Sequence, residues 1–194
     1  MSPDDRRHLL LGSARHVFAA RGYHAANVSH IIEEAGVARG TFYNYFESKR
    51  AVFQEVLQEL MFEVASAARP IDLRQPIAPQ VHDNVANVVR AACAPDVARI
   101  LLAEAVGIDP EGDAVLAHFY AQGLARIEAA LALGQQFGVV RPLDPALLAA
   151  CVLGMVKEPV FQAALAQRPI DVETLVDVIA AVLTGGALRL TPDA

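Results

Sequence analysis

One stretch limits the fold more than any other: residues 28–46, Val-Ser-His-Ile-Ile-Glu-Glu-Ala-Gly-Val-Ala-Arg-Gly-Thr-Phe-Tyr-Asn-Tyr-Phe. Two short helical patterns meet at Ala35-Gly36-Val37. Ala35 is small enough for two helices to approach closely, Gly36 permits the left-handed backbone that a tight turn needs, and Val37 plugs the corner. The second pattern runs from about Arg39 to Phe46. Phe42 and Phe46 are four apart and face inward together, while Arg39, Thr41, Asn44 and Tyr45 spread over the other sides. A helix-turn-helix whose second helix points hydrogen-bonding side chains outward has the form of a DNA-groove reader. Eight helical residues measure roughly 12 Å, comparable to the width of the major groove.

The rest of the chain is longer and more apolar than groove reading requires. Ala, Val and Leu supply most of an apolar share of 54%. With little period-2 alternation, this composition implies an all-α fold of about nine helices. The longest uncharged runs, 114–125, 129–140 and 145–156, are each 12 residues. A spanning helix needs about 20, so no transmembrane helix is expected. The first residues lack an apolar signal core, which leads to the expectation of a cytoplasmic protein with no membrane partner.

The net charge of −6 conceals an asymmetry. Residues 1–50 hold seven Arg/Lys against five Asp/Glu, with four of the six His, and residues 51–194 hold nine against seventeen. A DNA phosphate meets the local balance, so an acidic whole chain does not exclude nucleic acid. Cys93 and Cys151 form no CxxC and have no zinc spacing with His; they are expected as small buried hydrophobes. No metal or cofactor is expected.

Helical patterns are expected over about 4–21, ended by Gly22, and from an Asn27 cap through Ile31 and Ile32. A fourth runs from a Ser48 cap to about 67. Pro70, Pro76 and Pro79 mark a boundary loop. Further patterns cover 81–93 and 95–107. A long helix opened by Asp109-Pro110-Glu111 lasts to about 137, one opened by Asp144-Pro145 lasts to about 167, and a last one covers 172–188 after an Asp171 cap. Glu158-Pro159 predicts a kink in the penultimate helix. The implied organisation is a helix-turn-helix domain over 1–50 and an effector-binding and dimerisation domain over 51–194, joined by the helix at about 48–67. The last two helices are apolar nearly all round, which suggests a homodimer built on a four-helix interface, two helices from each subunit.

Leu10 to Tyr23, Ile31-Ile32-Glu33-Glu34-Ala35-Gly36-Val37, and Gly40-Thr41-Phe42-Tyr43-Asn44-Tyr45-Phe46 with Lys49 together resemble the N-terminal domain of TetR/AcrR transcriptional regulators. The resemblance covers about residues 6–60. It implies a dimeric repressor whose C-terminal domain binds a small effector and so moves two readers out of register. Recognition helices in that family often open with Ser or Thr, where this chain has Ala38. Their second helix often opens with Thr at a phosphate contact, where this chain has Asn27 and Val28. Arg50 stands where an acid is common.

The expected DNA contacts follow from side-chain chemistry within that motif. Arg39 can fork onto guanine O6 and N7 or hold a phosphate, and Asn44 can pair with adenine or face solvent. Gly40 lets the backbone approach, and Thr41 can reach a phosphate or a thymine methyl. Tyr43 and Tyr45 are read as phosphate donors with packed rings. Lys49, at a helix start, is read as gripping a phosphate. Two readers should meet adjacent major grooves of double-stranded DNA roughly 34 Å apart, on an inverted-repeat operator. Among the middle helices, Glu104, His118, Tyr120, Gln122 and Arg126 are polar candidates for an effector pocket. His118, Gln122 and Arg126 share one helix face, which is either a pocket wall or a solvated stripe; an apolar or aromatic effector is expected. Two other readings stay open: an enzyme using the C-terminal helical cavity, and an interaction module that has lost DNA binding. No nucleophile triad, metal cluster or phosphate loop is visible to support the enzyme.

Overall fold

The computed structural model describes residues 2–100 and 110–187, without the side chains of 110–116, 119 and 187. Every regular element among the described residues is helical: α1 Pro3–Ala25, α2 Val28–Ala35, α3 Arg39–Tyr43, α4 Lys49–Ala67, α5 Ile77–Cys93, α6 Pro95–Val97, α7 Pro110–Gln136, α8 Pro145–Leu165 and α9 Val172–Val182. A wider π-helical turn, Leu183–Ala187, follows α9. The all-α expectation therefore holds.

Caps set most of the boundaries. Ser2 closes a capping box on Asp5, whose carboxyl is held below its usual pKa by the Ser2 backbone and hydroxyl. Asp144 and Asp171 accept the backbone N–H of Leu147 (2.8 Å) and Thr174 (3.1 Å). Gly22 breaks α1 as expected, with φ 75° and ψ 162°, a conformation open in practice only to glycine. One helical turn nonetheless resumes to Ala25, closed by the Ala26 N–H donating to the Gly22 carbonyl at 3.2 Å.

Several boundaries differ from expectation. α5 starts at Ile77, so Pro79 lies in its first turn, where the missing N–H costs nothing. α8 stops at Leu165, two residues early. Gln167 takes φ 50°, and Arg168 N–H donates back to the Ala163 carbonyl at 3.0 Å, a Schellman-type closure without glycine. α8 also continues through Pro159 as one helix. By length and composition α8 is long and apolar enough to cross a membrane, which the 12-residue uncharged runs did not suggest; Lys157 and Glu158 stand within it.

The chain forms two compact units, Met1–Phe62 with Pro95–Leu116, and Glu63–Ala94 with Ala117–Ala194. The first extends beyond residue 50 for a physical reason. Helices α1 to α3 are too short to bury an apolar core alone, and the first half of α4 adds the fully buried Val52, Val56 and Leu57. Phe18 packs edge-on to Phe53 at 4.9 Å, and Tyr23 lies 4.6 Å from the same ring. Val97 and Ile100, from much later in the chain, are also fully buried. Asp96 pairs with Arg15 of α1. Burial alone would raise the Asp96 pKa, but the hydrogen bond and charge of Arg15, together with the Val97 and Asp96 backbone N–H groups, outweigh it and hold the carboxyl below its usual value.

The second unit is built on α5, which packs against α9 and α8. Ala86, Val89, Val176, Ile179 and Leu183 form its buried centre. Arg90 of α5 forks onto the Glu173 carboxylate of α9, its Nη2 donating to both oxygens at 2.9 Å. α8 contributes Leu148, Val152, Met155 and Val156 to that centre, yet its buried residues are only Ala149 and Val160. Its other face leaves Leu147 and Leu165 more than 60% exposed, and α9 leaves Val178 and Val182 more than half exposed. The expectation of two buried cysteines fails for Cys151, which is exposed because it stands on that outer face of α8; Cys93 is half-buried, and burial pushes its thiol pKa up.

Candidate nucleic-acid interface

The corner between α2 and α3 forms as its residues dictate. Gly36 adopts φ 64° and ψ 33°, and its N–H and that of Val37 close on the Glu33 and Ile32 carbonyls, both at 3.2 Å. α3 keeps regular helical bonding only to Tyr43, shorter than the run to Phe46 expected from the pattern. Tyr45 N–H donates to the Phe42 carbonyl at 3.0 Å, an i→i−3 bond that tightens the end, and Phe46 N–H shares the same acceptor. Phe42 and Phe46 are buried at 0% and 2% exposure. Arg39, Gly40, Tyr43 and Asn44 are exposed, and Thr41 and Tyr45 are half-buried. The two phenylalanines thus anchor the helix while the polar residues face outward. The Arg39 guanidinium lies 5.8 Å from the centre of the Tyr43 ring, and the Tyr43 ring stands edge-on to Phe42. Ala38 supplies no side-chain cap to α3.

Two candidates sit differently from their expected roles. The Asn27 carboxamide oxygen accepts the His30 backbone N–H at 3.0 Å, while Asn27 N–H donates to His30 Nδ1 at 3.3 Å. That box commits the oxygen to capping α2 and leaves the amide N–H groups as the part of Asn27 able to meet a phosphate. The Lys49 ammonium turns into its own domain. It donates to the Tyr23 carbonyl at 2.8 Å and the Ala26 carbonyl at 3.0 Å, and it lies 4.2 Å from the centre of the Tyr23 ring. These carbonyls need a donor, because the Asn27 and His30 N–H groups that helical continuation would give them are spent in the capping box. Burial lowers the Lys49 pKa. Pattern alone missed this role, since the spacing of Lys49 from Tyr23 shows only once Gly22 has turned the chain.

The proposed effector residues separate. Glu104 lies outside the described residues. His118, Gln122 and Arg126 are exposed on α7, with the Gln122 amide 2.9 Å from His118 Nε2, so in this chain they form the solvated stripe. Tyr120 lies about 160° round α7 from both His118 and Gln122. It is half-buried, which raises its phenol pKa, and the Lys157 ammonium of α8 lies 4.4 Å from its ring centre. Lys157 was not among the sequence candidates, although it is the one cation between Arg141 and Arg168.

Comparison with known proteins agrees with this geometry. Residues 10–56 match the bacterial regulatory proteins of the tetR family. The HTH-type transcriptional activator FasR of Mycolicibacterium smegmatis is 41% identical over 66 residues, 34% of this chain and 30% of that protein. The chain thus matches under a third of the length of the first curated relatives. Over nearly the whole chain the likeness is one of fold. The transcriptional regulator FadR of Bacillus subtilis, solved with stearoyl-CoA, superposes with a TM-score of 0.80 at 22% identity, covering 92% of this chain and 98% of that one. AibR, solved with isovaleryl coenzyme A and operator DNA, gives 0.70 at 18%, covering 91% and 97%. Residues 10–56 thus carry the motif of the tetR family of bacterial regulatory proteins, and the chain as a whole shares the all-helical fold of FadR and AibR.

Proposed function

We propose that this chain is a ligand-responsive transcriptional regulator, a repressor released from a palindromic operator by a small, largely apolar effector, and not an enzyme. The observation that carries the reading is the polarity of α3. Phe42 and Phe46 are sealed inside while Arg39, Gly40, Tyr43 and Asn44 face outward on a turn sized for the major groove. Arg39 and Asn44 would read base edges, Thr41, Tyr43 and Tyr45 would hold backbone phosphates, and Gly40 would let the helix approach. Asn27 would add a contact through its amide at the α2 cap. Lys49 would act mainly from behind, by fixing the corner on which these residues stand. Such a reader works where the chromosome is, in the bacterial cytoplasm.

The functional division would then be a reader over 1–50, seated on the first half of the linking helix, and an effector and dimerisation domain beyond it. The exposed apolar residues of α8 and α9 support a homodimer closed by a four-helix interface, which would set two readers on adjacent major grooves. FadR, which shares the fold, was solved with stearoyl-CoA, and this favours an effector with a long apolar part.

The test is fluorescence anisotropy with operators recovered by in vitro selection. The wild-type chain should bind an inverted repeat, with affinity falling steeply as salt rises. Arg39→Ala should lose about tenfold or more, roughly 1–3 kcal/mol, and relax the preference at one base position in each half-site. Failure to select any sequence, with a flat salt response, would overturn the reading.

A further inference from the structure

Lys157 is a cation in an unusual place. The 12 residues before it on α8 carry no charge, and it is half-buried. Among the described residues no carboxylate stands within ion-pair distance of its ammonium; its contact is the face of the Tyr120 ring, 4.4 Å from the centre. At 100° per residue, Lys157 falls about 130° from the middle of the α8 face that packs toward α5 and α9, and about 80° from the middle of the exposed stripe of Leu147 and Leu165. It therefore belongs to the flank of α8 that meets α7. On α7, Gly123 shares the Tyr120 side of the helix, and a Cβ placed there would have nothing within 4 Å. Leu124 and Ile127, on the same side, are half-buried.

We propose that Lys157 and Tyr120 form the head-group end of a ligand site between α7 and α8. Its ligand is an amphiphile with an apolar body and one acidic group, carboxylate or phosphate. A ring face attracts an ammonium but gives no hydrogen-bond acceptor. An anionic oxygen supplies both a charge and an acceptor, so it can draw Lys157 off the ring. The apolar body then has the open space at Gly123 and the Leu124–Ile127 side of α7 to occupy. The compact ammonium suits this exchange, because it can turn from ring to ligand on a flexible stem. This deepens the regulator reading by giving its sensor a chemical class of effector and two contacting residues; His118, Gln122 and Arg126 take no part.

Isothermal calorimetry on the full chain, titrated with decanoate, decyl phosphate, decanol and decyltrimethylammonium, separates the possibilities. Decanoate or decyl phosphate should bind at least tenfold more tightly than decanol, and the two acids show which anion is preferred. Lys157→Met should erase that preference and leave decanol affinity unchanged. Lys157→Arg should keep most of it. Gly123→Leu should weaken acids and alcohol alike. Equal affinity for acid and alcohol, a preference that survives Lys157→Met, or no binding of any of the four overturns the proposal. If Lys157→Met fails to fold, the Lys157→Arg and Gly123→Leu arms still decide. Operator binding by the unliganded wild-type chain is scored separately. Binding to an operator with no acid preference sinks the ligand site alone; an acid preference without any operator sinks the reader alone.

Discussion

α3 and α8 are opposite in polarity. α3 has five residues, seals Phe42 completely and turns Arg39 and Gly40 outward. α8 has 21 residues, buries only Ala149 and Val160, and turns Leu147 and Leu165 outward. Each surface describes what it is suited to meet. A polar face on an apolar anchor suits phosphates and base edges, which offer acceptors and charge. A broad apolar face suits another apolar face, because only that contact removes it from water. The largest expected effect breaks this contrast on the α8 side. Leu147→Glu combined with Val178→Glu should raise the dimer dissociation constant at least about a hundredfold, on the order of 3 kcal/mol, given about 1.5–3 kcal/mol for one buried aliphatic side chain. Sedimentation equilibrium measures it. An unchanged dimer would mean that the face meets something other than a second copy.

The two lysines sharpen the comparison, for the chain has only two and each lies over a tyrosine. Lys49 also bonds two backbone carbonyls that have no helical donor. Among the described residues, Lys157 has only the ring. Lys49→Met should therefore destabilise the reader by about 2 kcal/mol, since it leaves two carbonyls unsatisfied. Lys157→Met should change stability by less than about 0.5 kcal/mol. Urea unfolding followed by circular dichroism reads both. The same variant tests what Lys49 does on DNA. A phosphate-gripping lysine, when removed, lowers the salt slope of operator binding by about 1. A lysine that braces the corner lowers affinity and leaves the slope unchanged, and this second outcome is expected.

The contrast also explains how much could be read in advance. The reader was legible because local rules decide it: Gly36 at the turn, Asn27 and Ser48 as caps, and Phe42 and Phe46 four apart all act within a few residues. What escaped depends on distant partners. The inward turn of Lys49 needs carbonyls more than twenty residues away, left without donors by the Asn27–His30 box. The pairing of Tyr120 with Lys157 needs two helices side by side, whereas the regular spacing of His118, Gln122 and Arg126 drew attention to a face of α7 that is exposed. Cys151 was expected inside because cysteine usually is, and in the single chain it stands on the outward apolar face of α8. The compact unit around the reader reaches Phe62 for the same reason. Periodicity shows that Val52, Val56 and Leu57 are apolar together, but not which core they complete.

The smallest effect concerns the segment at Pro95, which returns to the reader after more than thirty intervening residues. Its ion pair, Asp96 with Arg15, leaves both side chains under a third exposed. The Asp96 pKa is lower in the folded chain than in the unfolded one. A depressed carboxylate contributes stability that is present above its unfolded pKa, near 3.9, and is lost as pH falls through the lower folded value. Between pH 5 and 7 the wild-type chain should exceed Asp96→Asn in stability by up to about 1 kcal/mol, discounted for partial exposure. The gap should close below about pH 4. Because α1 also carries the reader's Phe18 core, the loss should appear in the near-ultraviolet signal of the reader tyrosines, Tyr23 above all, before helix content falls. A gap that stays constant down to pH 3 would show that Arg15 holds Asp96 by shape alone, and that its charge contributes nothing to keeping the Pro95 segment in the reader.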